Sequence, residues 1–307
     1  MATRFLEALD AQLATGYASL GRTSPEPTLG FVLSQQTPDG GFHGRRDAAD
    51  LYYTDFALRL LGLIGVEAQP LQRAAAYLGR AGGGCRDVVS AFGLLNAARI
   101  LKGRGIEVPL DRRHITEVLL RQHLPAGGFA HPGDSQPSAY QTFLAALALE
   151  ILDERMPRME AAARAVAALR CPDGGYSDRP GEKTGQTNPT AAALAFLALA
   201  NALPTRDAAD AVSFLTRMQD ANGGLRAPAA APAGDLLSTF TGLVALSGFG
   251  ALDRLRLSHV VEFVAPLGLV GGGYRSCEAD SEADVEYTYY GVGILSLLGA
   301  HLRAAKP

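Results

Sequence analysis

Residues 271–299 read GGGYRSCEADSEADVEYTYYGVGILSLLG and contain the three parts of a repeating unit. A Gly-Gly-aromatic turn comes first, an acidic loop follows, and an apolar helix is predicted to begin near Asp284. The same parts recur upstream, and the second glycine of each turn lies at position 41, 84, 128, 175, 224 or 273. Six copies at a nearly regular spacing indicate a repeat architecture.

Each repeat is predicted to hold two helices with different apolar patterns. The first, which we call the outer helix, has one charged face, as in PLQRAAAYLGR (70–80) and DAADAVSFLTRM (207–218). The second, the inner helix, is apolar on nearly every side, as in FLAALALEIL (143–152). A helix that is apolar all round is buried all round, so we expect the inner helices to surround a central cavity. The predicted fold is all-α, a single α6/α6 toroid domain over residues 1–307, with a leader helix at about 3–20 and six repeats at about 27–300.

The inner helices share an opening pattern, a polar residue followed four positions later by threonine. Asp and Ser are favourable N-caps, because a side-chain oxygen accepts a hydrogen bond from an unpaired N–H group of the first turn. This position alone explains Asp50, Asp235 and Asp284. The second repeat has Asp87 but Ala91 in place of the threonine. The complete openings are Asp50/Thr54, Ser138/Thr142, Gln186/Thr190, Asp235/Thr239 and Asp284/Thr288.

Composition and charge argue against several classes of protein. The formal net charge of −3 gives no indication of a nucleic-acid partner. The three cysteines are far apart and form no CxxC pair, which favours reduced thiols and a cytoplasmic location. The amino-terminal sequence MATRFLEALDAQ lacks the apolar core of a signal peptide. No apolar run reaches the length of about 20 residues that a transmembrane helix needs, so we expect no transmembrane segment.

Six helix pairs with Gly-Gly-aromatic turns resemble the β subunits of protein prenyltransferases and the barrel domains of squalene–hopene cyclases. The most specific pieces are GGYSDRPGE (174–182) and DVEYTYYGVGILSLLG (284–299). Both families bind isoprenoid chains in the central cavity, so the resemblance implies an isoprenoid ligand. Prenyltransferase β subunits pair with a helical-repeat α subunit, and the resemblance therefore also implies such a partner.

The resemblance to prenyltransferases implies a zinc site that the residues do not preserve. That family holds its zinc with Asp-x-Cys at the start of the fifth inner helix and His at the start of the sixth. Here Asp235 matches the aspartate, but Leu237 stands at the cysteine position and Tyr287 at the histidine position. Zinc needs three or four N, S or O donors, and leucine supplies none. We therefore predict no metal, no cofactor and no zinc-dependent thiol prenylation.

The resemblance to class II cyclases points to one acidic residue. Those enzymes protonate an alkene with the middle aspartate of a D-x-D-D-T motif, and the matching stretch here is Asp284-Val285-Glu286-Tyr287-Thr288. Glu286 stands at the donor position, although Glu and Tyr replace two aspartates and the chain holds one barrel domain where such cyclases usually have two. A buried carboxylic acid among aromatic residues retains its proton.

Three functions remain open from the sequence. The first is an isoprenoid-binding, prenyltransferase β-like protein that acts on a polyprenyl diphosphate without zinc. The second is a class II cyclase-like enzyme with Glu286 as proton donor, and the third is a non-catalytic binding or scaffold toroid. An enzyme is favoured but not established. We assign Glu286 and Asp284 to catalysis. Substrate binding is assigned to two carboxylates, to aromatic residues whose rings can face a carbocation, and to arginines that follow Gly-Gly turns. These residues are Asp50 and Asp235, then Tyr53, Tyr140, Tyr287 and Tyr290, and finally Arg179 and Arg275.

Overall fold

The computed structural model of the chain describes residues 5–20 and 26–304. Its regular secondary structure is mostly helical, with one short hairpin in which β1 (Tyr274–Arg275) pairs antiparallel with β2 (Ala283–Asp284). The predicted leader helix is observed as α1 (Phe5–Ser19). Residues 3 and 4, where we placed its start, lie outside the described residues.

Outer and inner helices alternate along the chain as the repeats predict. The outer helices are α2 (Glu26–Ser34), α4 (Ala68–Ala81), α6 (Arg112–Leu120), α8 (Met159–Ala167), α10 (Thr205–Arg217) and α12 (Leu257–Val264). The inner helices are α3 (Leu51–Ile64), α5 (Val88–Lys102), α7 (Ala139–Ile151), α9 (Thr187–Leu199), α11 (Leu236–Gly248) and α13 (Val285–Ala304). Over the ranges that the structure describes, none of these helices is long and apolar enough to cross a membrane.

The chain divides into two compact units. The first unit combines Met1–Thr116 with Val264–Pro307, and the second is Glu117–Phe263. In the first unit, α13 packs against α1 and α3, and α3 packs against α5. In the second unit, α9 packs against both α7 and α11. The first unit therefore brings the last inner helix into contact with the first one. The assignment of the whole chain to a single domain stays a prediction.

A threonine joins each of five inner helices to the Gly-Gly turn that precedes it. The hydroxyl oxygen of Thr54 accepts a hydrogen bond of 2.9 Å from the backbone N–H of Phe42, whose side chain is fully buried. A buried N–H group needs such a partner, which gives a physical reason for threonine at this position. The second repeat, which has Ala91 instead, forms a short 3-10 helix over Gly82–Gly84 at its turn. The other four bonds, of 2.8–3.0 Å, join Thr142 to Phe129, Thr190 to Tyr176, Thr239 to Leu225 and Thr288 to Tyr274.

The first glycine of the turn is required by conformation and by space. Gly40 has φ +97° and Gly223 has φ +102°, a region in which residues with a Cβ are strained. A Cβ atom on Gly40 would lie 2.4 Å from the carbonyl oxygen of Arg73 in α4. On Gly223 it would lie 2.0 Å from the carbonyl oxygen of His259 in α12. The turn therefore lets the next outer helix pack directly on its backbone.

The predicted N-caps are confirmed at the aspartates. Asp50 accepts a hydrogen bond of 2.7 Å from the N–H of Tyr53, and Asp235 accepts one of 2.7 Å from Ser238. Asp284 accepts one of 2.9 Å from the N–H of Tyr287. Gln186 makes no side-chain cap, so this part of the pattern holds in only some repeats.

Candidate functional site

Glu286 lies in the first turn of α13 and is only 9% exposed. The hydroxyl of Tyr52 donates a hydrogen bond of 2.7 Å to Glu286 Oε1, and the hydroxyl of Tyr290 donates a second one of 3.3 Å to the same oxygen. Tyr52 follows Asp50 by two positions, as Glu286 follows Asp284. Because α3 packs against α13, two equivalent positions of the first and last repeats meet face to face.

The surroundings of Glu286 favour its protonated form. Burial raises the pKa of this carboxyl above its ordinary value, and the negative charge of Asp284 raises it further. The hydrogen bonds from Tyr52 and Tyr290 act in the opposite direction, because they stabilise the carboxylate. The net result is a raised pKa, so Glu286 holds its proton to a higher pH than an exposed glutamate does.

Aromatic rings pack against the two tyrosines that bind this acid. The ring of Phe56 lies 4.9 Å from that of Tyr52, 5.4 Å from that of Tyr290 and 5.6 Å from that of Tyr289, measured between centroids. Tyr287 lies 6.1 Å from Tyr290. The faces of such rings attract a positive charge. The three tyrosines of α13 take different roles, since Tyr290 contacts Glu286, Tyr289 packs beside Arg59, and Tyr287 lies under Arg45.

Asp284 is joined to the loop of the first repeat. It is 1% exposed and accepts a hydrogen bond of 2.9 Å from Arg45 Nε. The other two nitrogens of Arg45 bind both oxygens of Asp280, at 3.2 and 2.5 Å. The hydrogen bonds from Arg45 and Ser276 hold the pKa of Asp280 well below its usual range, although burial alone would raise it. Arg45 therefore links the loop of the first repeat to the acidic loop of the last repeat, which ends two residues before Glu286.

Three more of the predicted site residues lie in the same unit. Asp50 caps α3, and burial raises the pKa of its carboxyl. The ring of Tyr53 lies 5.4 Å from that of Tyr52 and packs on the backbone at Gly44. Arg275 donates hydrogen bonds to the backbone carbonyls of Glu278 and Asp280, both of 3.2 Å, within its own loop.

The remaining predicted residues, Asp235, Tyr140 and Arg179, belong to the second unit. Asp235 is engaged in capping α11, where it accepts bonds from both N–H and hydroxyl of Ser238, and burial raises the pKa of its carboxyl. Tyr140 is 36% exposed, and its N–H donates to Asp178. Arg179 forms an ion pair of 3.1 Å with Asp134. The structure thus gathers Glu286, Asp284, Tyr287, Tyr290, Asp50, Tyr53 and Arg275 in one unit and these three in the other.

Two residues that contact the predicted acids were not predicted from the sequence as their partners. Tyr52 donates a hydrogen bond to Glu286, and the sequence feature that could have indicated this pair is that both residues occupy the same position of their inner helices. Arg45 binds Asp284 across 239 positions of sequence, and no local pattern marks such a pair.

No metal centre is formed by the described residues. Across 5–20 and 26–304, no three side chains of His, Cys, Asp or Glu are grouped so that they could hold a metal ion. The expectation that the chain binds no zinc stays a prediction.

Comparison with known proteins identifies the fold. A family model described as the prenyltransferase alpha-alpha toroid domain matches residues 6–79, 85–225 and 158–306. Protein geranylgeranyltransferase-I of Candida albicans, complexed with GGPP, matches with a TM-score of 0.70 and 15% identity over 91% of this chain and 92% of that one. No curated protein sequence matches.

Type II terpene cyclases are also similar. MstE from Scytonema without ligand gives a TM-score of 0.64 and 13% identity, over 95% of this chain and 99% of that one. A variant of MstE in complex with its substrate, geranylgeranyl dihydroxybenzoate, gives 0.64 and 14% identity over 97% and 99% of the two chains. At these identities the likeness shows the fold alone. The all-α toroid fold predicted from the six repeats is confirmed.

Proposed function

The chain belongs to the prenyltransferase alpha-alpha toroid domain family, and on this basis we propose that it binds an isoprenoid and acts on it by proton donation from Glu286, as a terpene-cyclase-like enzyme. The observation that carries the proposal is the state of Glu286, a buried carboxyl with a raised pKa that is oriented by the hydroxyls of two tyrosines, whose rings pack against Phe56.

Each feature of this arrangement suits protonation of an alkene. Tyr52 and Tyr290 both donate to Oε1, and the proposal therefore places the transferable proton on Oε2. Transfer of that proton forms a C–H bond from the two π electrons of the alkene and leaves a cation on the neighbouring carbon. The new carboxylate is stabilised by the same two hydroxyls. The rings of Tyr52 and Tyr290 are of the type that stabilises the cation, whereas Phe56 and Tyr289 already contact Arg59, and Tyr287 contacts Arg45.

The isoprenoid class of the substrate is inferred from the similar proteins. The MstE variant is in complex with geranylgeranyl dihydroxybenzoate as its substrate, and the geranylgeranyltransferase-I is complexed with GGPP. Zinc-dependent transfer is disfavoured here, because Leu237 and Tyr287 stand where the resemblance implies two zinc ligands. Arg179 already pairs with Asp134, and Arg275 already donates to backbone carbonyls. These two guanidinium groups therefore have fewer N–H donors left to bind a diphosphate.

A second candidate is a prenyltransferase-like protein that binds a polyprenyl diphosphate and pairs with an α-type helical-repeat subunit. The likeness to geranylgeranyltransferase-I, with the higher TM-score of 0.70, is the observation that favours it. Co-purification of such a subunit, together with transfer of the prenyl group to an acceptor, would decide for this candidate.

The test begins with binding and ends with product analysis. Native mass spectrometry of the purified chain with geranyl, farnesyl and geranylgeranyl diphosphates and with the matching prenyl alcohols should detect a one-to-one complex. Incubation should then convert the bound compound into a cyclic product. If the cation loses a proton, the mass is unchanged and one C=C bond is lost per ring; if it captures water, the product is one water heavier and has lost one further C=C bond. Failure of every isoprenoid to bind would contradict the proposal.

A further inference from the structure

A cavity of about 250 Å³, lined by both charged and apolar residues, lies at the carboxyl ends of α3 and α5. Its walls come from α1, α3 and α5, from residues just after α5, and from Tyr289 of α13, all within the first unit. Tyr52 and Glu286, by contrast, lie at the amino ends of α3 and α13. The cavity therefore lies at the opposite helix ends from the acid, although it shares Tyr289 with the aromatic residues near Glu286, and we call it the arginine cavity.

Positive charge predominates in the arginine cavity. Arg59, Arg99 and Arg104 line it, and Asp10 is the one acidic residue among the described residues that do so. A second carboxylate, the buried Asp55, lies behind Arg59 at 2.5 Å. Three guanidinium groups thus face two carboxylates, and the cluster retains excess positive charge.

The protein contacts of these arginines leave donors unused. Arg59 binds Asp55 through Nη2, while its buried Nε has no hydrogen-bond partner in the part of the chain that the structure describes. Arg99 uses Nε and Nη2 on Asn96 and on Asp10, and Arg104 uses Nη2 on the carbonyl oxygen of Gly62. Each guanidinium has five N–H donors, and a buried donor without a partner is unfavourable.

The rest of the cavity wall is apolar. Leu13, Leu63 and Ile100 line it beside Tyr289. The guanidinium of Arg59 lies 5.4 Å from the centre of the Tyr289 ring and 4.9 Å from that of Phe56, and these contacts hold the group in place. A ligand that binds both the guanidinium groups and the apolar wall of the cavity must have an anionic group and an apolar part.

We propose that the arginine cavity binds the oxyanion group, a phosphate or a carboxylate, of a small amphiphilic molecule. The planar fork of an arginine side chain matches the oxygens of both groups. One carboxylate oxygen already binds here, because Asp10 Oδ2 lies 2.8 Å from Arg99 Nη2. The proposal does not depend on the function of Glu286, since neither this acid nor its partners Tyr52 and Tyr290 line the cavity.

Matched ligands and matched variants test this inference. Isothermal titration calorimetry at low salt compares hexyl phosphate, hexanoate and hexan-1-ol, which share one chain and differ in the head group. The wild type should bind at least one of the two anions and not the alcohol, and added salt should weaken the binding. The comparison of the two anions identifies which head group the cavity prefers.

The variant Arg104→Gln should weaken anion binding about tenfold, because a charge-assisted hydrogen bond is lost. Arg73→Gln is the control, since Arg73 is also exposed and also donates one 2.8 Å bond to a carbonyl oxygen, that of Thr37, but does not line the cavity. Arg99→Lys, which keeps the charge and loses the fork, should also weaken binding. Glu286→Gln should bind the anions as the wild type does. Equal binding of the alcohol, or unchanged binding in both arginine variants, would overturn the inference.

Discussion

Tyr52 and Glu286 are 234 positions apart in sequence and are joined by a hydrogen bond of 2.7 Å. Each stands two positions after the aspartate that opens its inner helix, one in the first repeat and one in the last. The first repeat therefore supplies the group that orients the proposed acid of the last. The tyrosine both fixes the carboxyl and moderates its pKa, because its bond favours the ionised form.

The variant Tyr52→Phe should raise the pKa of Glu286 further. Removal of the hydroxyl removes a bond that lowers this pKa, while the burial that raises it remains. Carbon-13 NMR of the labelled glutamate carboxyl, followed through a pH titration, measures the change. Tyr77→Phe is the control, because Tyr77 is a buried tyrosine of the outer helix α4 and does not contact Glu286. A Glu286 pKa that stays the same or falls in Tyr52→Phe would contradict this role.

The raised pKa of Glu286 also makes the free energy of unfolding depend on pH. The folded state binds its proton more tightly than the unfolded state does, so this contribution is fully present below the ordinary glutamate pKa of about 4.3. It is lost as the pH rises through the raised value. Urea unfolding of the wild type and Glu286→Gln should therefore show the wild type losing stability relative to the variant as the pH increases. A difference that stays constant or changes in the other direction would exclude a raised pKa.

Arg45 should stabilise the loop of the last repeat. The variant Arg45→Gln leaves the buried Asp284 without its charged partner, and we expect the free energy of unfolding to fall by about 1–3 kcal/mol. The value is below that of a fully buried pair because Arg45 is 35% exposed and solvent screens the interaction. The neighbouring Arg46, which is exposed, supplies the control Arg46→Gln. Equal stability of the two variants would mean that Arg45 does not fasten this loop.

Replacing the threonine of an inner helix should lower the free energy of unfolding by more than the net contribution of one hydrogen bond. In Thr239→Val the side chain keeps its shape, but the buried N–H of Leu225 loses its acceptor, which costs about 1–3 kcal/mol. Thr216→Val is the control, because Thr216 only donates to the carbonyl oxygen of Val212, which already lies within a helix. Thermal or urea unfolding of the two variants compares them, and an equal loss would refute the explanation of the repeated threonine.

Much of the fold was predictable, because each repeat is specified locally. The Gly-Gly turn, the capping aspartate and the apolar inner helix all lie within about fifty residues of one another, and each has its own physical reason. The sequence did not decide whether Glu286 is buried or faces solvent at the helix start, and the structure shows it 9% exposed.

The contacts between repeats were harder to predict. The predicted toroid already makes the first and last inner helices neighbours, but pairing Tyr52 with Glu286 also requires the directions of their side chains, which the sequence does not show. The hydrogen bonds of Arg45 to Asp280 and Asp284 join two irregular loops. The sequence of such loops has no periodic pattern from which their conformation could be predicted. The ion pair of Asp55 and Arg59 lies within an inner helix that the sequence predicts to be apolar. Burial of these two charges is tolerated because each neutralises the other.

The measurement that bears most directly on the proposed function is the turnover of a bound isoprenoid by Glu286→Gln. Glutamine keeps the size of the side chain and can still accept the bonds from Tyr52 and Tyr290, but it has no acidic proton to give. A general acid contributes about 10²–10⁴-fold to a rate, so turnover should fall by that factor while native mass spectrometry still detects the isoprenoid complex. Full turnover in this variant, on the isoprenoid that the wild type converts, would contradict proton donation by Glu286.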